Sequence, residues 1–194
     1  TVGASWKRNI SLAHLFEEGV AVAQVPMHAE DAEVWWGVGR QADDGEVRQA
    51  DAAPDQLGHG TALAAILLQG TPDGRLLNAQ VFRHTLVCGA AQVAAALDWL
   101  VQQRAQLVNM SFGLREDRPS LRDACERALA EGIILVAATP ARGEPVFPAA
   151  YAGVIRATGD ARCAPGELSF LDTSQADFGG HVRAGVSTVA GASV

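Results

Sequence analysis

The 194-residue sequence is 48% hydrophobic and 19% charged, a balance typical of a globular chain that buries one sizeable core. Its formal net charge is −7 and its basic residues form no cluster, which argues against nucleic acid as a partner. No apolar run approaches the roughly 20 residues of a membrane span, and no segment has the pattern of a signal peptide.

The cysteines indicate the redox environment. Cys88, Cys125 and Cys163 are widely spaced and odd in number. This pattern suits reduced thiols in a cytoplasmic protein better than a disulfide framework or a zinc site. We therefore expect a cytoplasmic protein without a metal.

The N-terminal quarter predicts short strands joined by turns. The apolar run Gly19–Ala23 predicts a strand. Further on, Asp43-Asp44-Gly45 lies between two short apolar runs, which is the pattern of a hairpin turn.

A histidine between two glycines follows. His59 lies in the sequence Leu57-Gly-His-Gly-Thr61, and an apolar run then begins at Ala62. Thr61 is a favourable N-cap, so a helix is predicted from Ala62 onward. The imidazole would then lie at the mouth of a helix, where a general base is useful, although a core or capping histidine would give the same pattern.

The middle of the chain alternates between apolar strands and helices. Strands are predicted at 76–82, 106–111 and 133–137, and helices at 90–104 and from Pro119 onward. Gly132 has the position of a C′ glycine at the end of the second helix. Because the strands are almost wholly apolar, we expect a parallel sheet that is buried on both faces, and hence an α/β fold.

Two of these strands place a candidate site. Ser111-Phe112-Gly113 follows one strand, and Ala138-Thr139 with Ala141 shortly after it ends the next. Ligands of parallel sheets bind at the carboxyl ends of the strands. The sequence therefore predicts a binding site at this edge.

Six blocks in this order resemble those of the subtilisin-like serine proteases (subtilases). The blocks are His59-Gly-Thr-Ala-Leu-Ala-Ala, Asn78-Ala-Gln-Val-Phe, Leu107-Val-Asn-Met-Ser-Phe-Gly113 with the helix before it, Gly132–Ala138, Phe147–Gly159 and Gly191-Ala-Ser193-Val. The resemblance covers roughly residues 55–194. It implies a three-layer subtilisin-like α/β fold, with a mostly parallel central sheet flanked by helices, in a single domain of residues 1–194.

The resemblance also implies roles for particular residues. Ser193 would be the nucleophile and His59 the general base. The segment Ser111–Gly113 would pair with the substrate backbone, and Ala138 and Thr139 would form the second wall of a side-chain pocket. No cofactor or metal is implied.

The acid of the triad is missing from its expected position. If Ile10-Ser-Leu-Ala-His14 is the end of the acid motif, which we prefer, Lys7 occupies the aspartate position. If Gly19–Ala23 is the strand of that motif, Gln24 occupies it instead. Asp31 and Asp55 are alternative acids, and Asp55 better suits a structural role.

Two further departures concern the oxyanion hole and the nucleophile. Ala141 aligns with the asparagine whose side chain donates to the oxyanion, and Arg142 is an alternative donor. A single residue follows Ser193, where the family continues into a long helix, so we expect the polypeptide to continue beyond the nucleophile motif, where this sequence is cut.

Two functions are consistent with this pattern. The favoured one is a serine endopeptidase that cleaves a specific peptide or protein, with leader removal during maturation as the finer hypothesis and a partner protein in a maturation complex as a further one. The alternative is a pseudoprotease that binds a peptide or a partner without cleaving it. A different α/β hydrolase is disfavoured, because the sequence has no G-x-S-x-G motif.

Overall fold

A computed structural model describes residues 21–26, 33–41, 47–50, 63–64, 66–67, 74–82 and 88–182. In chain order the elements are β1 (Ala21–Pro26), β2 (Glu33–Gln41), β3 (Val47–Ala50), β4 (Gly74–Gln80), α1 (Ala90–Gln102), β5 (Leu107–Met110), α2 (Pro119–Ala130), β6 (Ile134–Ala138), β7 (Ile155–Gly159), β8 (Leu168–Phe170) and β9 (Phe178–Gly180). Residues 63, 64, 66 and 67 are helical, as predicted for the run after Thr61. No helix in these ranges has the length and apolar character needed to cross a bilayer.

The described strands form one mixed sheet in the order β3-β2-β4-β1-β5-β6-β7-β9-β8. The pairs β5–β6, β6–β7 and β7–β9 are parallel, as is β2–β4. β1 pairs antiparallel with both of its neighbours, and β3 and β8 run antiparallel at the two edges. Six of these nine strands therefore run in one direction.

The predicted burial of the sheet is confirmed for the face under the helices, whereas on the other face of β6 it is partial, because Ile134 is 49% exposed. On β6, Leu135 and Ala137 pack into the main core cluster with the helices. Val136 and Ala138 alternate with them and pack with Ala157 in a second, smaller cluster. The α/β prediction with a mostly parallel sheet between layers is confirmed.

The predicted N-terminal hairpin is also confirmed, by the antiparallel pairing of β2 with β3. Its turn residues, Asp43 to Gly45, lie outside the described ranges. The strand predicted at Gly19–Ala23 is observed two residues later, as β1.

Helix α1 is closed at both ends by local hydrogen bonds. The Gly89 N–H donates to the Gln92 side chain at 2.7 Å, which satisfies one of the donors exposed at a helix start. At the other end, the Ala105 N–H donates to the Leu100 carbonyl at 3.0 Å, and Arg104 adopts a φ of 58°. This is a Schellman ending in which an arginine occupies the left-handed position.

Helix α2 begins with Pro119, whose missing N–H costs nothing at that position. It ends in the same way as α1, because the Ile133 N–H donates to Ala128 and the Gly132 N–H to Leu129. Gly132 has a φ of 80°, so the predicted C′ glycine is confirmed.

The two helices pack together and against the sheet. The fully buried side chains that contribute most volume are Leu77, Leu97, Leu100, Met110, Leu121 and Leu135. On the surface, Arg127 of α2 makes a two-point ion pair with Asp98 of α1 at 2.9 to 3.1 Å. The helical layer therefore forms one packed unit behind β4, β5 and β6.

Candidate active site

The carboxyl end of β5 presents the segment Ser111–Gly113. Ser111 and Phe112 are buried, whereas Gly113 is exposed. Ser111 Oγ accepts a hydrogen bond from Asn109 Nδ2 at 2.9 Å, and the Phe112 ring packs edge-on against Phe82 at 6.3 Å. The side chains thus anchor a segment that ends at an exposed backbone position.

The neighbouring strand β6 supplies the second wall. Ala138 and Thr139 are 2% and 3% exposed, and the Thr139 N–H donates to the Ala157 carbonyl at 2.9 Å. Ala141 and Arg142 follow on the exposed loop. Because β5 and β6 are parallel neighbours, their carboxyl ends lie at the same edge. The two predicted walls therefore end side by side.

A third segment, which the sequence analysis did not assign to the site, lies against Gly113. Leu114 and Phe147 exchange two backbone hydrogen bonds of 2.7 and 2.8 Å. A Cβ placed on Gly113 would lie 3.1 Å from both Cβ and Cγ2 of Val146. Glycine therefore permits this close approach, and Val146 borders the candidate groove.

A cavity of about 500 Å³ is lined in part by this third segment. It is lined by residues from the end of β6, the turn before β7 and the turn before β9, among them Thr139, Val146, Tyr151, Arg156, Gln175 and Asp177. Thr139 and Val146 thus contribute both to the candidate groove and to the cavity.

The polar side of the cavity is an ion pair between Arg156 and Asp177. Arg156 Nε donates to Asp177 Oδ2 at 3.1 Å, Nη2 donates to Oδ1, and the Arg156 backbone N–H donates to Oδ2 at 2.7 Å. These hydrogen bonds lower the pKa of Asp177. The carboxylate therefore stays ionised, and its charge is matched by the guanidinium.

A buried carboxylate, that of Asp160, lies beyond the cavity. Asp160 accepts hydrogen bonds from the side chain and backbone of Arg162 and from Ser169 Oγ, which hold the pKa of Asp160 well below its usual range. Gly179 lies so close that a Cβ there would be 2.6 Å from Ser169 Oγ and 2.8 Å from Asp160 Cβ. These contacts connect β7, β8 and β9 at this edge of the sheet.

Several predicted site residues lie outside the described ranges. They are His59, Ser193, Lys7, Asp31 and Asp55. Gln24 lies on β1, in register with Leu76 of β4 and Leu107 of β5. Within the described part of the chain, no cluster of three or more His, Cys, Asp or Glu could hold a metal ion.

Val146, Tyr151 and the Arg156–Asp177 pair were not predicted from the sequence. The block Phe147–Gly159 was matched as a family segment, but its position beside the groove depends on the pairing of Phe147 with Leu114 and on the contact of the preceding Val146 with Gly113. A contact between a glycine and a bulky residue far away in the chain has no local sequence pattern that would predict it.

The parallel strands β5 and β6 bring both predicted wall segments to one edge of an α/β sheet. A comparison of sequences gives the family. The sequence model of Peptidase_S8, the Subtilase family, matches residues 24–187. The chain belongs to the subtilase family, and the resemblance seen in the sequence blocks is confirmed.

Curated relatives are subtilisin-like proteases of bacteria and fungi. The chain is 31% identical over 113 residues to the minor extracellular protease Epr of Bacillus subtilis, covering 52% of this chain and 18% of the relative. It is 27% identical over 134 residues to the major intracellular serine protease of the same organism, covering 60% and 42%. It is 30% identical over 145 residues to the subtilisin-like protease het-Q2 of Podospora anserina, covering 70% and 38%. The matched region therefore spans less than half of each of these relatives.

Two solved structures are also similar. The prenylagaramide maturation protease PagA is 24% identical, with a TM-score of 0.41 over 46% of this chain and 35% of that one. A structure described as the S41 psychrophilic protease is 20% identical, with a TM-score of 0.42 over 56% and 37%.

Proposed function

We propose that this subtilase is a serine endopeptidase that hydrolyses a peptide bond in a specific peptide or protein. The observation that carries the proposal is the family match over residues 24–187, which includes the His59-Gly-Thr block. Ser193 supplies the nucleophile. His59 removes the proton from the Ser193 hydroxyl and later donates it to the leaving amine.

The groove at the ends of β5 and β6 holds the substrate in this proposal. The exposed backbone at Gly113 pairs with the extended peptide as an added strand. Ala138 and Thr139 border the substrate on the other side, where the buried end of β6 gives a fixed wall. No cofactor is required, because nucleophile and base are both side chains.

The oxyanion site depends on the loop after β6. Ala141 occupies the position of the family's asparagine and offers no side-chain donor. Loss of one such donor typically lowers the rate by about 10²–10³. The backbone N–H of Ser193 remains as a donor, so we expect a slow enzyme.

The missing acid has a similar consequence. An acid normally orients the histidine and stabilises its protonated form, and its loss costs on the order of 10⁴ in kcat. Lys7 and Gln24 cannot take this role, whereas Asp31 or Asp55 supplies a carboxylate if either approaches His59.

Fluorophosphonate labelling of the full-length polypeptide tests the proposal. The reagent reacts with an activated serine, and the adduct is located by peptide mass spectrometry. We expect labelling at Ser193 that disappears in His59→Ala and in Ser193→Ala. Labelling that persists in His59→Ala would rule out the proposed base.

A pseudoprotease is the second candidate function, and it is favoured by the residues at two motif positions. Neither Lys7 nor Gln24 is an acid, and Ala141 is not an amide. In this case the groove binds a peptide or a partner enzyme without cleaving it. Peptide binding by a folded protein that shows no Ser193 labelling would select this function.

Leader removal in the cytoplasm is the finer form of the proposal. The three cysteines, Cys88, Cys125 and Cys163, are all free thiols, which suits a reducing compartment. One curated relative is named an intracellular protease. Fractionation of cells that express the full-length protein, followed by mass spectrometry of peptides that accumulate without it, tests both the compartment and the substrate.

A further inference from the structure

One wall of the candidate groove is held in place by a contact that lies away from the groove itself. The segment Ser111–Gly113 continues through Leu114, which is tied to Phe147 by two backbone hydrogen bonds. Two hydrogen bonds alone leave a strand end free to fray, so the position of this wall depends on what holds the residues that follow.

The next anchor is a buried tyrosine. Tyr151 is 8% exposed, and its hydroxyl donates to Asp117 Oδ1 at 2.9 Å. The same hydroxyl lies 3.3 Å from the Arg118 carbonyl oxygen, and the ring packs against Phe147 with centroids 5.1 Å apart. Tyr151 therefore joins the loop after Leu114 to the turn that carries Phe147.

We propose that the Tyr151–Asp117 hydrogen bond is a positioning contact that sets the groove edge Ser111–Gly113 for peptide binding. The inference rests on the proposed peptide-binding role of that edge. Neither side chain needs to touch the substrate. They act through the Leu114–Phe147 bridge, because they fix the loop on one side of it and the turn on the other.

The chemistry of both partners suits a fixed contact. Asp117 also forms an ion pair with Arg122 on α2, so its carboxylate is held against a helix. Burial raises the pKa of Tyr151, so the hydroxyl keeps its proton and remains a donor at neutral pH. A charged acceptor makes this hydrogen bond stronger than one between neutral groups.

Tyr151→Phe removes only the hydroxyl and keeps the ring against Phe147. For a peptide substrate, we expect the KM of Tyr151→Phe to rise about tenfold, the effect of losing one hydrogen bond to a charged group, while kcat changes less than twofold. Asp117→Ala should raise KM by the same factor. In the double variant the two effects should not add, because both remove the same contact.

Two matched variants separate this contact from general stability. Asp117→Asn loses the charge and the ion pair with Arg122 but keeps an oxygen that accepts from Tyr151, so we expect a smaller rise in KM than in Asp117→Ala. Asp98→Asn breaks the ion pair between Asp98 of α1 and Arg127 of α2. Because that pair does not contact Tyr151 or Leu114, this variant should leave KM unchanged. An unchanged KM in Tyr151→Phe, with only a lower Tm, would overturn the proposal.

Hydrogen exchange gives a readout that does not need activity. The amides of Leu114 and Phe147 should exchange about tenfold faster in Tyr151→Phe, and equal exchange rates would overturn the positioning role. If the unmodified protein neither binds nor cleaves any peptide, the proposed function fails. Exchange at these two amides then still reports whether Tyr151 holds the segment.

Discussion

The Arg156 guanidinium and the Asp177 carboxylate form a two-point ion pair that joins β7 to the turn before β9. Arg156 Nη1 also donates to the Ser174 carbonyl at 2.6 Å, and its backbone N–H donates to Asp177. One arginine thus forms the polar side of the cavity. We expect the stability of this edge of the sheet to depend on the ion pair.

Asp177→Ala should lower the free energy of unfolding by roughly 1–3 kcal/mol, because it leaves a half-buried guanidinium without its charged acceptor. The loss should also depend on pH. Arg156 lowers the pKa of Asp177, so the pair contributes fully above about pH 4, where an unfolded aspartate is ionised, and its contribution is lost as pH falls through the lower folded pKa.

Urea denaturation between pH 7 and pH 3 measures this effect. In Asp177→Asn, which cannot titrate, the decline in stability toward acid should be smaller than in the unmodified protein. The same decline in both proteins would show that other carboxyl groups dominate the acid response.

The ends of the two helices offer a matched pair of substitutions. Arg104→Gly should raise the free energy of unfolding by roughly 0.5–1 kcal/mol, because Arg104 has a φ of 58° that glycine adopts without strain. Gly132→Ala at the equivalent position of α2 should lower it by about 1 kcal/mol, because no atom lies within 4 Å of the new methyl group and backbone strain is the main effect. Thermal unfolding measures both changes. If the two substitutions change the free energy of unfolding in the same direction, the helix endings are not equivalent.

Gly113→Ala should lower the free energy of unfolding by about 1 kcal/mol, since its Cβ would press on Val146. Val146→Ala removes one of the two atoms in that contact, so the double variant should lose less stability than the two single variants together. A double-mutant cycle by urea denaturation measures this coupling. If the losses in the two single variants simply add in the double variant, the segment that carries Val146 moves away from the new methyl group at no cost in stability.

Ala141→Asn should raise kcat by up to about 10² if the oxyanion hole lacks a side-chain donor. Ala141 is exposed, so the change should have little effect on stability. Ala141→Asp is the matched control, because it has the size of asparagine without the N–H donors. Equal rates for the two variants would show that another group already stabilises the oxyanion.

The elements around the groove could be predicted because their signals are local. Pro119 and Gly132 mark the two ends of α2 by their own backbone preferences. The carboxyl ends of parallel neighbours lie at one edge of any sheet, so the sequence predicts Ser111–Gly113 and Ala138–Thr139 side by side, and the parallel pairing of β5 with β6 agrees.

The remaining features depend on distant parts of the chain. Tyr151 and Asp117 are 34 residues apart, and Arg156 and Asp177 are 21 apart. Neither separation corresponds to a helix or strand period, so the sequence alone does not predict either contact. The antiparallel direction of β1 was also unpredictable, because an isolated apolar strand carries no information about the direction of its partners.

The central position of β1 has a consequence for assembly. β5, β6, β7 and β9 occur in this order along the chain, with only β8 between the last two, and can pair as they are made. By contrast, Gln24 on β1 meets Leu107 only after more than 80 further residues have been added. Closing so large a loop is slow. Until β1 inserts between them, β4 and β5 each present an open edge that can pair with another molecule. We therefore expect a variant that lacks β1 to aggregate more than the unmodified protein.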